Sequence, residues 1–250
     1  MMNYMSRVEI ESMPRGGPDA SCLDRLLETD RLEYLDRDDI DDAVKRRVIG
    51  ALDWTGRVFG NHRRFAEIAL AEVAEVADPA ILELGAGHGA VSALILENHP
   101  TARLTVTDLN AESVAAMAHL ADDPRVSVRQ MDATAIDAPD GAFDLALFAL
   151  SFHHLTPPQA ARVFAEGTRV ATKLVIIDLP RPPAPLHLMR LASMLPWAPV
   201  HPFVHDGVIS SLRSYSPSAL RALAAHADPN IQLTLRGGIT SLQVVVAHRV

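Results

Sequence analysis

From residue 80 to residue 177, short apolar runs alternate with helical patterns, and this alternation constrains the fold more than any other feature of the chain. Strands are expected over residues 80–84, 103–107, 126–129, 143–149 and 174–177, with helical patterns near 91–97 and 111–120. A further helix is marked by Thr156-Pro157-Pro158-Gln159, where Thr156 serves as N-cap, Pro157 as the first helical residue and Gln159 as the returning partner. Strands joined by crossovers of this length lie parallel, with helices on both faces. Two last strands, 231–235 and 242–247, flank Gly237-Gly238 and read as an antiparallel hairpin at one sheet edge. The expected fold class is α/β: a doubly wound, mostly parallel, seven-stranded sheet whose C-terminal strand is antiparallel.

Three regions flank or interrupt this pattern. Residues 1–20, with Pro14, Gly16, Gly17 and Pro18, read as a loose arm. Residues 21–78 read as a helical cap, because Leu23, Leu26 and Leu27, then Val44, Val48 and Leu52, then Phe65, Ile68, Ala69, Val73 and Val76 recur at helical spacing. Within it, the acidic run from Asp36 to Asp42 precedes Lys45, Arg46 and Arg47, an order that suits a helix macrodipole better than a metal site. Residues 79–250 form the core, interrupted by a cover insertion at about 180–215. Seven prolines lie between Pro180 and Pro202, interleaved with Leu186, Leu188, Met189, Leu191, Met194, Leu195 and Trp197. Such a segment is too long for a plain connection and reads as a cover over a site for an apolar or aromatic substrate. Its alternative roles are to complete the core or to form a dimer interface.

Charge and cysteine content exclude some functions. A formal net charge of −8 argues against a nucleic-acid partner held through phosphates. The single cysteine, Cys22, has no internal mate, so an oxidising compartment is not indicated. Neither a signal-peptide pattern nor an apolar run of membrane-spanning length is read, and a cytoplasmic protein is the expectation. The partners expected are a small-molecule acceptor and a second copy of the chain, without nucleic acid or membrane.

Chemistry concentrates at the ends of the expected strands. The stretch Ile81-Leu82-Glu83-Leu84-Gly85-Ala86-Gly87-His88-Gly89-Ala90 reads as a strand, a small-residue turn and a helix start with free N–H groups. Gly85, Gly87 and Ala90 also satisfy the G-x-G-x-x-G/A pattern of dinucleotide sites, so the turn alone leaves the ligand open. Asp108, at the second strand end, suits a ribose diol, and Asp132-Ala133 after the third suits an adenine edge. The fourth strand runs into Ser151-Phe152-His153-His154-Leu155.

Together, Glu83-Leu84-Gly85-Ala86-Gly87-His88-Gly89, Asp108, Asp132-Ala133 and Phe143-Asp144-Leu145 with His153-His154-Leu155 resemble the successive motifs of class I S-adenosylmethionine-dependent methyltransferases. The likeness covers about residues 80–177. A weaker one, through His205-Asp206-Gly207, Ser210 and Tyr215, points to bacterial small-molecule methyltransferases. The resemblance implies a Rossmann-like fold, S-adenosylmethionine as cofactor and S-adenosylhomocysteine as product. It also implies cofactor-binding roles: Glu83 at the amino-acid end, Gly85, Ala86 and Gly87 along the methionine chain, and Asp108 on the ribose. Leu109 would pack on the adenine face, Asp132 and Ala133 would meet its edge, and Ala149 would approach the sulfonium.

The expected activity is methyl transfer to a small apolar or aromatic metabolite, at oxygen, by in-line displacement. His154, His205 and His153 are the candidate bases, with His205 oriented by Asp206. No third ligand accompanies the two adjacent histidines at readable spacing, so no metal is assigned. Two other readings use the same turn: a cofactor-binding homologue without turnover, and an NAD(P)-dependent oxidoreductase. The latter is disfavoured by Glu83 and by the lack of a Tyr-x-x-x-Lys pair.

Overall fold

Alternate side chains of the central strands enter two separate hydrophobic cores, which is why these runs are apolar on both faces. In a computed structural model describing residues 10–199, 201–238 and 241–250, Leu82, Leu84, Ala146 and Phe148 join one core. Ile81, Leu145, Leu147 and Val175 join the other. The elements in chain order are α1 (Cys22–Leu26), α2 (Asp42–Val58), α3 (Asn61–Glu72), β1 (Ala80–Leu84), α4 (Ala90–Asn98), β2 (Arg103–Asp108) and α5 (Ala111–Ala116). There follow β3 (Val126–Gln130), β4 (Phe143–Ala149), α6 (Pro157–Val170), β5 (Ala171–Asp178), α7 (Ala184–Met194), α8 (Pro202–Arg213), α9 (Pro217–Ala227), β6 (Ile231–Gly237) and β7 (Gln243–Arg249).

The seven strands run in the order β3-β2-β1-β4-β5-β7-β6. Neighbours from β3 to β5 are parallel, and β7 is antiparallel to both β5 and β6. The order reverses between β1 and β4, so the carboxyl ends of β1, β2 and β4 surround the crevice where such sheets take ligands. Helices α3 and α4 pack on one face and α6 and α9 on the other.

Local signals explain most boundaries. Asn110 caps α5 by accepting from the Glu112 N–H, and Ser216 caps α9 through Ala219. Thr156 and Gln159 form the expected capping box at the start of α6. One expected helix, 111–120, instead breaks at Met117, and its last turn is a 3₁₀ helix, Ala118–Asp122.

Two expectations change. The loose arm does not begin to describe residues 10–20: Ile10, Met13 and Arg15 are buried, because Ile10 and Met13 complete the core beneath α6 and α9. Residues 1–9 of that arm lie outside the described residues. The cover segment holds two helices: α8 buries Val208 and Ile209 among others, whereas on α7 only Ala184, His187 and Leu191 are buried. Leu186, Leu188, Met189, Leu195 and Trp197 remain exposed. Among the described residues, no helix is long and apolar enough to cross a membrane.

Candidate active site

The turn after β1 is held open by backbone geometry. Gly85 and Gly87 adopt positive φ angles of 61° and 58°, a region that favours glycine. A Cβ at Gly85 would lie 2.8 Å from the Phe148 ring, whereas one at Gly87 would meet nothing within 4 Å. The first glycine therefore lets β1 and β4 converge, and the second leaves room above the turn. Ala86 donates its N–H to the Thr107 carbonyl at 2.9 Å, tying the turn to β2.

Acids border this room on two sides. Asp108 is half-buried at the end of β2; its Oδ2 accepts from the Gly87 N–H at 2.9 Å and its Oδ1 from the Asn110 N–H at 2.8 Å. Glu83 is buried within β1 and accepts from the Ser92 hydroxyl of α4. Burial pushes its carboxyl up to about 7, with the Asp108 charge adding to the rise, although hydrogen bonds from Ser92 oppose it. Beyond them Leu109 is 65% exposed, and Asp132 accepts from both the N–H and the hydroxyl of Thr134 at 2.8 Å. Ala133 and Ala149 are partly buried at their strand ends.

On the other side of the crevice, β4 ends in strain. Leu150 has a φ of 55°, a left-handed conformation that costs a non-glycine residue about 1 kcal/mol or more. Its N–H is paired with the Ile177 carbonyl at 2.8 Å, and the bend delivers the 3₁₀ turn Phe152–His154. Phe152 is buried edge-on against Phe148, Phe164 and Tyr215, which anchors the turn.

The two histidines of this turn differ. His153 is buried, with Nδ1 2.7 Å from Asp178 at the end of β5 and Nε2 3.3 Å from Glu33. Burial alone would lower it, yet Asp178 and then Glu33 push its imidazole up to about 9. With Nδ1 and Nε2 both facing carboxylates, His153 is turned toward Asp178 and Glu33, not toward the cavity beside His205. His154 is partly exposed; its Nδ1 lies 2.8 Å from Asp36 and its Nε2 3.9 Å from the second oxygen of Glu33. Burial would raise both Glu33 and Asp36, but the adjoining histidines hold each below the ordinary carboxylate range.

His205 in α8 is oriented by Asp206 at 2.9 Å, as expected, and is stacked on Tyr34 with ring centroids 3.9 Å apart. Asp206 Oδ1 also accepts from the Tyr34 N–H, while its buried Oδ2 has no hydrogen-bond partner among the described residues. A cavity of about 620 Å³ opens here, lined by Arg31, Leu32, Asp36, Arg37, Asp38, Asp39, His205 and Ile209. The exposed apolar residues of α7 are not among its walls.

Several residues at this site carried no sequence signal. Glu33 and Asp36 come from a connecting segment more than a hundred positions upstream of the histidines they meet. Arg15 and Arg213 donate to the carbonyls of the 152–155 turn and to each other's neighbourhood: Arg15 to His153 at 3.0 Å and Leu155 at 3.2 Å, Arg213 to His153 at 3.3 Å and to His154. Asp178 was the exception, since it ends an expected strand as Asp108 does.

A doubly wound sheet with a glycine turn after β1, an acid closing β2 and an open crevice between them defines a nucleoside-binding enzyme fold. Residues 81–173 match the family described as a methyltransferase domain. The chain is 27% identical over 195 residues to the demethylmenaquinone methyltransferase of Thermus thermophilus, covering 71% of this chain and 86% of that one. It is 33% identical over 139 residues to the malonyl-[acyl-carrier protein] O-methyltransferase of Geobacter sulfurreducens, covering 54% of this chain and 50% of that one. Among solved structures, the plantazolicin methyltransferase BpumL in complex with SAH and a monoazolic desmethylPZN analog has a TM-score of 0.64 at 14% identity, over 82% of this chain and 90% of that one. The matched domain, the two relatives and the shared fold together support a class I S-adenosylmethionine-dependent methyltransferase.

Proposed function

We propose that this enzyme transfers a methyl group from S-adenosylmethionine to an oxygen of a small, largely apolar metabolite that enters the cavity beside His205. The observation that carries the reading is the placement of the His205–Asp206 pair on the wall of that cavity. The oxygen is supported by the O-methyltransferase among the relatives. Leu32 and Ile209 support an apolar acceptor body, while Arg31 and Arg37 suit polar substituents at its rim.

The residues at the β1–β2 crevice fit the cofactor. The open room above Gly87 admits a chain close to backbone. Asp108 keeps lone pairs for a ribose diol, and exposed Leu109 offers an apolar face to adenine. Glu83 is a buried carboxyl whose charged form has only hydroxyl and amide partners, and an ammonium group would supply the missing positive charge. In these roles Gly85 and Ala86 line the methionine chain, Asp132 and Ala133 meet the adenine edge, and Ala149 faces the sulfonium.

When bound, the cofactor supplies an electrophilic methyl on a good leaving group. The protein aligns nucleophile and methyl, excludes water and takes the proton. His205, its Nδ1 held by Asp206, would accept the proton of the acceptor hydroxyl through its other ring nitrogen. Asp206 holds the ring and stabilises the resulting imidazolium. His154, gripped by Asp36, orients the wall of the site rather than moving a proton.

Transfer of labelled methyl to a panel of hydroxylated aromatic and aliphatic acceptors tests this reading. His205→Ala is expected to lower kcat about 100-fold, a loss typical of a general base, with S-adenosylmethionine affinity unchanged. Full activity in His205→Ala would remove it as the base.

A further inference from the structure

We infer that Glu33, His153 and His154 form a site for one divalent transition-metal ion. The ligand atoms these residues offer all lie within 4.8 Å of one another. His153 Nε2 is 3.3 Å from Glu33 Oε1, and His154 Nε2 is 3.9 Å from Glu33 Oε2. Donors at bonds of about 2.0–2.1 Å around a tetrahedral ion stand roughly 3.3 Å apart. The His153–Glu33 spacing already matches, and His154, the more exposed of the pair, would move inward to close the wider spacings.

A buried ion-pair network would also gather carboxylates around histidines, but it has no need of the arrangement seen behind each donor. His153 gives Nδ1 to Asp178 at 2.7 Å, and His154 gives Nδ1 to Asp36 at 2.8 Å. Both rings are thereby fixed with Nε2 turned toward the same carboxylate. Glu33 itself is held by the Ser210 hydroxyl at 2.6 Å. A carboxylate behind every ligating imidazole and a hydrogen bond behind the ligating carboxylate is the outer shell that orients metal ligands and sharpens their basicity. An imidazole nitrogen binds a metal ion only in its deprotonated form, so binding at His153 Nε2 would be coupled to proton release.

Two imidazoles and one carboxylate form a borderline donor set that suits Zn²⁺, Co²⁺, Fe²⁺ or Mn²⁺ over Mg²⁺ or Ca²⁺. Three protein ligands leave a coordination position open. Asp36, which grips His154, also lines the cavity of about 620 Å³, so the site lies one side chain behind that wall.

The test needs neither cofactor nor acceptor, so its failure and that of the methyl-transfer reading are separable. Metal-free full-length protein is titrated calorimetrically with Zn²⁺, and with Co²⁺ while the visible ligand-field bands are followed. One equivalent should bind, with bands of a four- or five-coordinate nitrogen–oxygen site. His154→Ala and Glu33→Gln should each weaken binding at least 100-fold, and Asp36→Asn about 10-fold, while His205→Ala leaves it unchanged. Circular dichroism identifies any variant that fails to fold, in which case the wild-type stoichiometry and cobalt spectrum decide. Less than a tenth of an equivalent bound by the wild type, or equal binding by folded His154→Ala, overturns the site.

Discussion

The two sides of the crevice are built in opposite ways. The side proposed for the cofactor is local: Glu83, Gly85 and Gly87 lie within five positions, and Asp108 closes the next strand. Its conformation is set by positive-φ glycines and backbone hydrogen bonds, with few charges in contact. The side proposed for the acceptor is assembled from afar. Residues 31–39, the 152–154 turn, Asp178 and α8 meet there through buried carboxylates, histidines and arginines. A site made of backbone can be read along a sequence, whereas a site made of charge pairs across long separations cannot. It also follows that damage to the first side should appear as lost binding, and damage to the second as lost stability.

The largest expected effect breaks the second side. Asp178→Ala leaves the buried His153 with one carboxylate fewer and frees the His153 N–H, which donates to Asp178 at 2.7 Å. Removing one partner of a buried pair costs about 3–5 kcal/mol, measurable as a lower midpoint in urea. A loss under about 1 kcal/mol would show that the turn does not depend on this pair. Arg213→Ala should follow at about 2–3 kcal/mol, because its guanidinium satisfies the carbonyls of Arg31, His153 and His154.

On the first side the response is to pH. Glu83 is raised to about 7 in the folded chain, so the folded state holds that proton more tightly than the unfolded state. Its contribution to stability is therefore full below the ordinary value of 4.5 and is lost as pH rises through about 7. Binding of an ammonium-bearing ligand favours the ionised form and reverses this trend. SAH affinity should rise several-fold, up to about tenfold, between pH 6 and pH 8, with release of a proton seen by calorimetry in two buffers. Glu83→Gln should flatten both profiles; an unchanged pH dependence would detach Glu83 from the cofactor. The smallest effect is expected outside both sides: Trp197→Ser, in the exposed turn after α7, should alter stability by less than about 0.5 kcal/mol. A marked rise in acceptor KM there would instead make that turn part of the substrate site.

The sheet was legible because its strands are buried on both faces and its glycines and caps punctuate them; the expected strand positions agree with β1–β7 to within a few residues. Single residues at strand ends, such as Asp108, could be picked out because topology fixes where strand ends go. What stayed hidden had no period. Ile10 and Met13 are two apolar residues in a proline- and glycine-rich arm, too few for a pattern, yet they fill the core below α6. Asp36 sits in an acidic run that reads as helix-terminal charge, and only the fold brings it to His154. The apolar residues of α7 follow helical spacing around the whole helix, so the pattern gave no hint that Leu188 and Met189 face outward while His187 faces in.

The central claim is that the cofactor lies over the Gly85–Gly87 turn with its ribose on Asp108. Calorimetric titration of SAH into wild type and Asp108→Ala tests it most directly, with circular dichroism confirming that both are folded. Loss of two charge-assisted hydrogen bonds predicts about 100-fold weaker binding in the variant. Equal affinity in the two proteins would contradict the account.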